Sequence, residues 1–237
     1  MIRFNNAGLL LPADDPTQGG RTVLAPCRVD LAESRIAVIG ANGSGKSTLL
    51  RMVNGLVSPS TGSVTVHGFD TVAQAKAVRR RVGFLFTDPL SQLVMPIVSE
   101  DVELSLKASH KDRTARSAAA LAALAELGLE HLAQRSIYDL SGGERQLVAL
   151  CSVLAAGQDI LVADEPTTLL DLANDELLQR TLGKLRQQVI YATHDLDFAA
   201  TADRALLVEG GRIVFDGHAS EAVAAYRWMV RHGSMSA

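Results

Sequence analysis

The chain predicts an α/β fold with a mostly parallel core sheet, interrupted by a helical insertion. Short, continuously apolar runs at Ile36–Ile39, Ile160–Ala163 and Val189–Ala192 alternate with helical patterns, which is how strands buried on both faces of a parallel sheet read. Between about Asp88 and Arg135 the strand signal disappears and helical spacing takes over. With 237 residues, 47% of them hydrophobic, the chain is long enough to bury a substantial core.

In chain order, strands are expected at Ile2–Asn5, Arg35–Ile39, Val64–His67, Val82–Phe86, Ile160–Ala163, Val189–Ala192 and Ala205–Glu209. Helices are expected at Lys46–Leu56, Val98–Lys107, Thr114–Leu127, Glu144–Ala156, Leu172–Leu185 and Ser220–Val230. The alanine-rich Thr114–Leu127 reads as packing within the insertion, and Arg79–Arg81 as a solvated helix end. This spacing divides the chain into a core of about residues 1–87 and 158–237 and a helical subdomain of about 88–157.

Composition narrows the function classes. A formal net charge of −3 calls for no polyanionic partner, and no nucleic-acid partner is expected. The two cysteines, Cys27 and Cys151, lack metal-ligand spacing and read as reduced thiols, Cys151 as a small core hydrophobe among leucines. The first residues lack a basic start followed by a long apolar run, so no signal peptide is expected. The apolar stretch Leu147–Gly157 is far short of the roughly 20 residues that span a bilayer. A soluble, cytoplasmic protein is therefore expected, held at a membrane, if at all, through partners.

The run Gly40-Ala41-Asn42-Gly43-Ser44-Gly45-Lys46-Ser47-Thr48 lies between an expected strand and an expected helix, the context a phosphate-binding loop needs. Glycines let the backbone curl into a nest of inward N–H groups, and the positive end of the next helix faces the same anion. Lys46 would reach the β- and γ-phosphates, and the Ser47 hydroxyl would hold Mg²⁺. The buried run Ile160–Ala163 leads into Asp164 and Glu165 at the sheet edge where ligands sit in such folds. Asp164 could orient the metal shell while Glu165 polarises an attacking water, alternate strand positions facing opposite ways.

Leu140-Ser141-Gly142-Gly143-Glu144 opens an amphipathic helix, and Ser141 with Glu144 forms the pattern of a capping box. Two glycines in a first turn weaken it by up to about 1 kcal/mol each relative to alanine. That cost makes sense where a ligand approaches bare backbone N–H groups, a second phosphate site.

With these motifs the chain resembles the ATP-binding-cassette (ABC) ATPases from end to end. The resemblance implies a P-loop NTPase core with a mostly parallel sheet, an N-terminal antiparallel β subdomain and an inserted helical subdomain. It implies ATP and Mg²⁺ as ligands, hydrolysis directed by Glu165 and Lys46, and a head-to-tail homodimer. In that dimer Ser141, Gly142, Gly143 and Glu144 would address the nucleotide of the opposite subunit. Thr167–Asp171 would be the D-loop, with Asp171 as its acid, and His194, just past a buried strand, the switch histidine near the γ-phosphate.

Two positions depart from the family pattern. Upstream of Gly40 the only aromatic is Phe4, and the expected base-stacking region reads Gly8-Leu9-Leu10-Leu11, a weaker platform for adenine. Where the family places a magnesium-binding, transporter-sensing glutamine, this chain has Thr87, so metal contact would need Asp88, a water or Gln92. The segment Phe86–Pro96 and the acidic start Ser99–Val102 are similar to the ATPases of energy-coupling-factor (ECF) importers of vitamins and metals, most of all to those serving biotin uptake. That resemblance implies a transmembrane coupling protein docked near Thr87–Val98, a separate substrate-binding membrane subunit, and a place on the inner face of the cell membrane. The competing functions are a soluble ABC ATPase acting on DNA or ribosomes, and a nucleotide-binding module with little turnover.

Overall fold

The computed structural model describes residues 1–12, 20–168 and 170–233. In chain order its elements begin β1 (Ile2–Leu11), β2 (Arg21–Leu31), β3 (Arg35–Ile39), α1 (Lys46–Val53), β4 (Thr61–Val66), β5 (Phe69–Asp70), α2 (Ala75–Arg79) and β6 (Val82–Leu85). They continue with α3 (Val98–Leu106), α4 (Arg113–Glu126), α5 (Gly142–Ala155), β7 (Ile160–Asp164) and α6 (Leu172–Lys184). The last are β8 (Gln188–Ala192), α7 (Leu196–Ala200), β9 (Arg204–Glu209), β10 (Arg212–Gly217) and α8 (Ala219–His232). The chain divides into two compact units, Met1–Val82 with Gln188–Ala237, and Gly83–Gln187.

The first unit carries an antiparallel sheet in the order β2-β1-β4-β5 and a run of strands in the order β10-β9-β3-β8. In that run β3 is parallel to both neighbours, pairing Val38 with Ala192 and with Leu206. The middles of β3, β8 and β9 are apolar because both faces are covered, and Ile36, Val38, Ile190 and Leu206 are fully buried. Helix α1 packs Leu49, Leu50, Met52 and Val53 inward. Tyr191 stacks on Phe198 at 4.4 Å between ring centroids, and its hydroxyl donates to the Phe198 carbonyl at 3.1 Å. That contact pins the short α7 beside β8.

The second unit is helix-rich and contains β7 next to β6. Helix α5 is its centre, burying Leu147, Val148, Leu150 and Cys151. Burial pushes the Cys151 thiol up to about 12 and the Cys27 thiol to about 11, so both are protonated and inert at neutral pH, as small hydrophobes are. The one buried acid of α3, Asp101, accepts from the Val94 and Met95 N–H groups at 2.7 and 3.0 Å and from the Ser152 hydroxyl at 2.8 Å. Three donors satisfy a carboxylate that burial would otherwise penalise.

All the expected helices and strands form, with ends shifted by a few residues, and among the described residues five further strands and α-helices appear. Strand β1 runs on to Leu11, and β2, β5, α2, α7 and β10 carried no usable sequence signal. Strand β2 contains Pro26 and mixes apolar residues with Arg21, Thr22, Arg28 and Asp30, and a proline inside such a run argues against a strand. It lies at the edge of its sheet, where a missing N–H costs nothing.

Candidate functional site

The phosphate loop of the first unit leaves β3 and returns as α1. Gly40, Gly43 and Gly45 have φ of 141°, 74° and 109°, values that only glycine adopts without strain. A side chain at Gly40 would also run into the Val208 carbonyl, and one at Gly45 would meet the Val23 carbonyl at 2.9 Å. The loop is braced from outside: the Gly211 N–H donates to the Ser44 carbonyl at 2.9 Å, and the Ser44 N–H donates to Ala41 at 3.2 Å. Ala41, Asn42 and Gly43 are exposed. Gly45 caps α1 with no side-chain acceptor, and no acid stands in the first turn, so the positive end of the helix stays open to an anion.

Lys46 is only 4% exposed. Its ammonium donates back to the Gly40 and Ala41 carbonyls at 2.9 and 3.0 Å, folded over the loop it would share with a phosphate. Ser47 and Thr48 follow within α1. Because β8 runs parallel to β3, His194 emerges two residues past β8 at the same sheet edge as the loop, and it is exposed. Asp195 caps α7 by accepting from Asp197 and Phe198, so the histidine is presented by a fixed turn.

In the second unit β7 ends on Asp164, which is 2% exposed. Glu165 then adopts a left-handed conformation, φ 50°, which costs a non-glycine residue about 1–2 kcal/mol. The strand ends at Asp164, so Glu165 stands on this turn and not within β7. The Glu165 carboxylate accepts from the Thr168 hydroxyl at 3.3 Å. Strain of this kind clusters where geometry serves chemistry.

At the start of α5 the expected capping box is complete. Ser141 Oγ accepts from the Glu144 N–H at 3.2 Å, and the Glu144 carboxylate accepts from the Ser141 N–H at 2.7 Å. That bond, chiefly, holds the Glu144 carboxyl below its usual range. Gly142 is exposed and Gly143 is buried. Asp171 caps α6 by accepting from the Asn174 N–H at 2.9 Å. Leu169, within the expected D-loop, lies outside the described residues.

The loop after β6 is tied down more firmly than its composition suggests. The Thr87 hydroxyl donates to the Asp164 carbonyl at 2.6 Å. Asp88 accepts from Leu90 N–H at 3.0 Å, capping a single helical turn. Gln92 accepts from the Phe86 N–H at 3.2 Å and donates to the Ala149 carbonyl at 3.3 Å. Thr87, Asp88 and Gln92 thus spend their polar atoms on main chain. Around them Leu90, Val94 and Tyr138 stand exposed, Val94 at 72% and Tyr138 at 68%. Tyr138 and Asn174 were not singled out from sequence; the spacing of Asn174, three residues after Asp171, is the N-cap signal that could have marked it.

Residues 29–168 match the family described as ABC transporter. The chain belongs to this family. It is an ABC ATPase, binding and hydrolysing ATP, and full-length comparisons agree. It is 43% identical over 226 residues, 95% of this chain and 97% of the relative, to the biotin transport ATP-binding protein BioM of Rhizobium etli. It is 41% identical to the energy-coupling factor transporter ATP-binding protein EcfA1 of Levilactobacillus brevis, over 76% of this chain and 66% of that one. Among solved structures it is similar to the ATP-binding cassette MJ0796 in a dimeric post-hydrolysis state bound to ADP and Pi. That likeness has a TM-score of 0.83 and 26% identity, and covers 92% of this chain and 99% of that one. In this chain an antiparallel N-terminal sheet accompanies a parallel-rich core. Among the described residues no helix of this ABC ATPase is long and apolar enough to cross a membrane.

Proposed function

We propose that this ABC ATPase is the energy-coupling subunit of an ECF-type membrane importer, with a vitamin such as biotin as cargo and a transition metal as the second choice. The observation that carries this reading is the likeness to BioM, which extends over 95% of the chain and so includes the exposed segment after β6 as well as the nucleotide motifs. In this reading two copies meet head to tail, each with a RecA-like core of about residues 1–87 and 158–237 and a helical subdomain of about 88–157. The dimer sits on the inner face of the cell membrane through a transmembrane coupling protein and a substrate-binding membrane subunit.

The chain's own atoms fit an ATP site. Gly40–Thr48 presents open N–H groups at an uncapped, acid-free helix start, and Lys46 releases the Gly40 and Ala41 carbonyls to take the phosphates instead. Ser47 and Asp164 are the residues that would hold Mg²⁺, and the ion would neutralise charge on the phosphates. Glu165 orients and deprotonates the attacking water, and His194 holds the γ-phosphate end. Ser141, Gly142, Gly143 and Glu144 act on the partner copy's nucleotide, with Asp171 linking the two sites. The exposed Leu90, Val94 and Tyr138 supply an apolar face beside Thr87, Asp88 and Gln92 for the coupling protein.

The test is recovery of the E165Q chain from its own cells in detergent with Mg-ATP. A polytopic coupling protein and a small substrate-binding membrane protein are expected to co-purify, and the bound vitamin or metal names the cargo. Recovery of ribosomal or DNA-repair proteins, with no membrane protein, would replace this reading with a soluble ABC ATPase.

A further inference from the structure

The two glycines that open α5 face different surroundings. Gly142 is exposed and Gly143 is buried. Gly143 lies within the helix and outside the left-handed region, so conformational freedom is not what the position needs. What it needs is space: a Cβ there would overlap the side-chain amide of Asn174 on α6 and come within 2.7 Å of the Asn174 Cβ. That atom sits at the root of its side chain and cannot swing away, so an added methyl group must move one of the two helices.

Asn174 has a second attachment. Its side-chain N–H groups donate to both carboxylate oxygens of Asp171, each at 3.0 Å, while its backbone N–H caps on the same acid at 2.9 Å. One side chain therefore fills the notch left by Gly143 and fastens the acid that precedes α6. The Gly143 N–H still points along the helix axis, as all first-turn N–H groups do, so filling the notch leaves that donor free for a phosphate.

We infer that Asn174 is a positioning residue that locks the Ser141–Gly143 turn to Asp171 within one subunit, so that both reach the partner's nucleotide as one rigid body. The inference rests on the role given above to the Ser141–Gly143 turn and Asp171. It assigns the two glycines separate tasks, Gly142 bare toward a ligand and Gly143 bare toward Asn174.

Single-turnover hydrolysis of Mg-ATP by the full chain tests it, with a fluorescent ATP analogue for binding, thermal melting for integrity, and S141A as control. G143A should slow hydrolysis by at least about tenfold with nucleotide affinity within about twofold, because the phosphate loop is untouched. N174A should slow it by about threefold, and G143A/N174A should return to the N174A rate, since removing the amide removes the clash. N174D keeps the shape but sets a carboxylate against Asp171, and should be at least as slow as N174A. The inference is overturned if the double variant stays as slow as G143A, if G143A matches wild type, if N174D hydrolyses normally, or if every rate merely follows melting temperature. Should S141A also hydrolyse normally, the role of the whole turn falls. Should S141A be slow while the double variant fails to recover, only the part given to Asn174 falls.

Discussion

Glu165 joins strain to chemistry in one residue. Its left-handed backbone, φ 50°, is one that asparagine and glycine accept far more readily than glutamate. E165N should therefore be more stable than E165A by about 0.5–1 kcal/mol in chemical denaturation, while both lose hydrolysis. E165Q, with the backbone cost unchanged, should keep wild-type stability and ATP binding but hydrolyse about 10²- to 10⁴-fold more slowly, the usual contribution of a general base. Equal stability of E165N and E165A would show that the turn stores no strain. Glu144 offers a pH readout. Its carboxyl is held low chiefly by the Ser141 N–H, so its stabilising effect is complete above the ordinary glutamate value, about 4.3. That effect is lost as pH falls through the lower folded value. Glutamine at the same place still caps but carries no charge. The melting temperature of wild type should exceed that of E144Q at neutral pH, and the gap should close as pH falls below the ordinary glutamate value. Both acids were visible in the sequence from their neighbours; the turn at Glu165 was not, because nothing local demands φ > 0 of a glutamate.

Within the second unit the backbone of a single residue, Phe86, joins the loop after β6 to α5. The Phe86 N–H donates to Gln92, and the Phe86 carbonyl accepts from Gln146 at 3.1 Å. Gln146 is 2% exposed and its side-chain oxygen has no hydrogen-bond partner among the described residues. Because both glutamines hold the backbone of one residue, their loss should not add. Q92L and Q146L should each cost about 1–2 kcal/mol, and the double variant should deviate from the sum by at least about 0.5 kcal/mol in chemical denaturation. Strict additivity would mean that the two bonds are independent. At this scale legibility followed burial. Continuous apolar runs such as Ile36–Ile39 marked the covered strands, whereas β2 and β10, edge strands with half-wetted faces, leave no periodic signal. Contacts such as Gly143 with Asn174 join residues far apart in sequence, and no spacing rule reaches them.

For the molecule as an importer subunit, the docking face proposed above is the apolar one after β6. Asp101 grips the Val94 and Met95 N–H groups from inside, which fixes the loop while leaving the Val94 side chain 72% exposed. Tyr138, held out at 68% exposure, lies on a segment whose carbonyls are secured by Arg145 at 2.7–2.8 Å. A loop braced this way keeps its apolar side chains in water without rearranging to hide them, which is how a preformed docking face behaves. Charges placed there should strike assembly and spare chemistry. V94K and Y138K, alone and together, should bind ATP within about twofold of wild type and melt within a few degrees of it, as surface changes do. Their recovery of the membrane coupling protein in detergent should fall by at least about tenfold for the pair, the scale of losing central apolar contacts in an interface. Unchanged recovery would place the membrane partner on another face, and the bracing by Asp101 and Arg145 would then serve the fold alone.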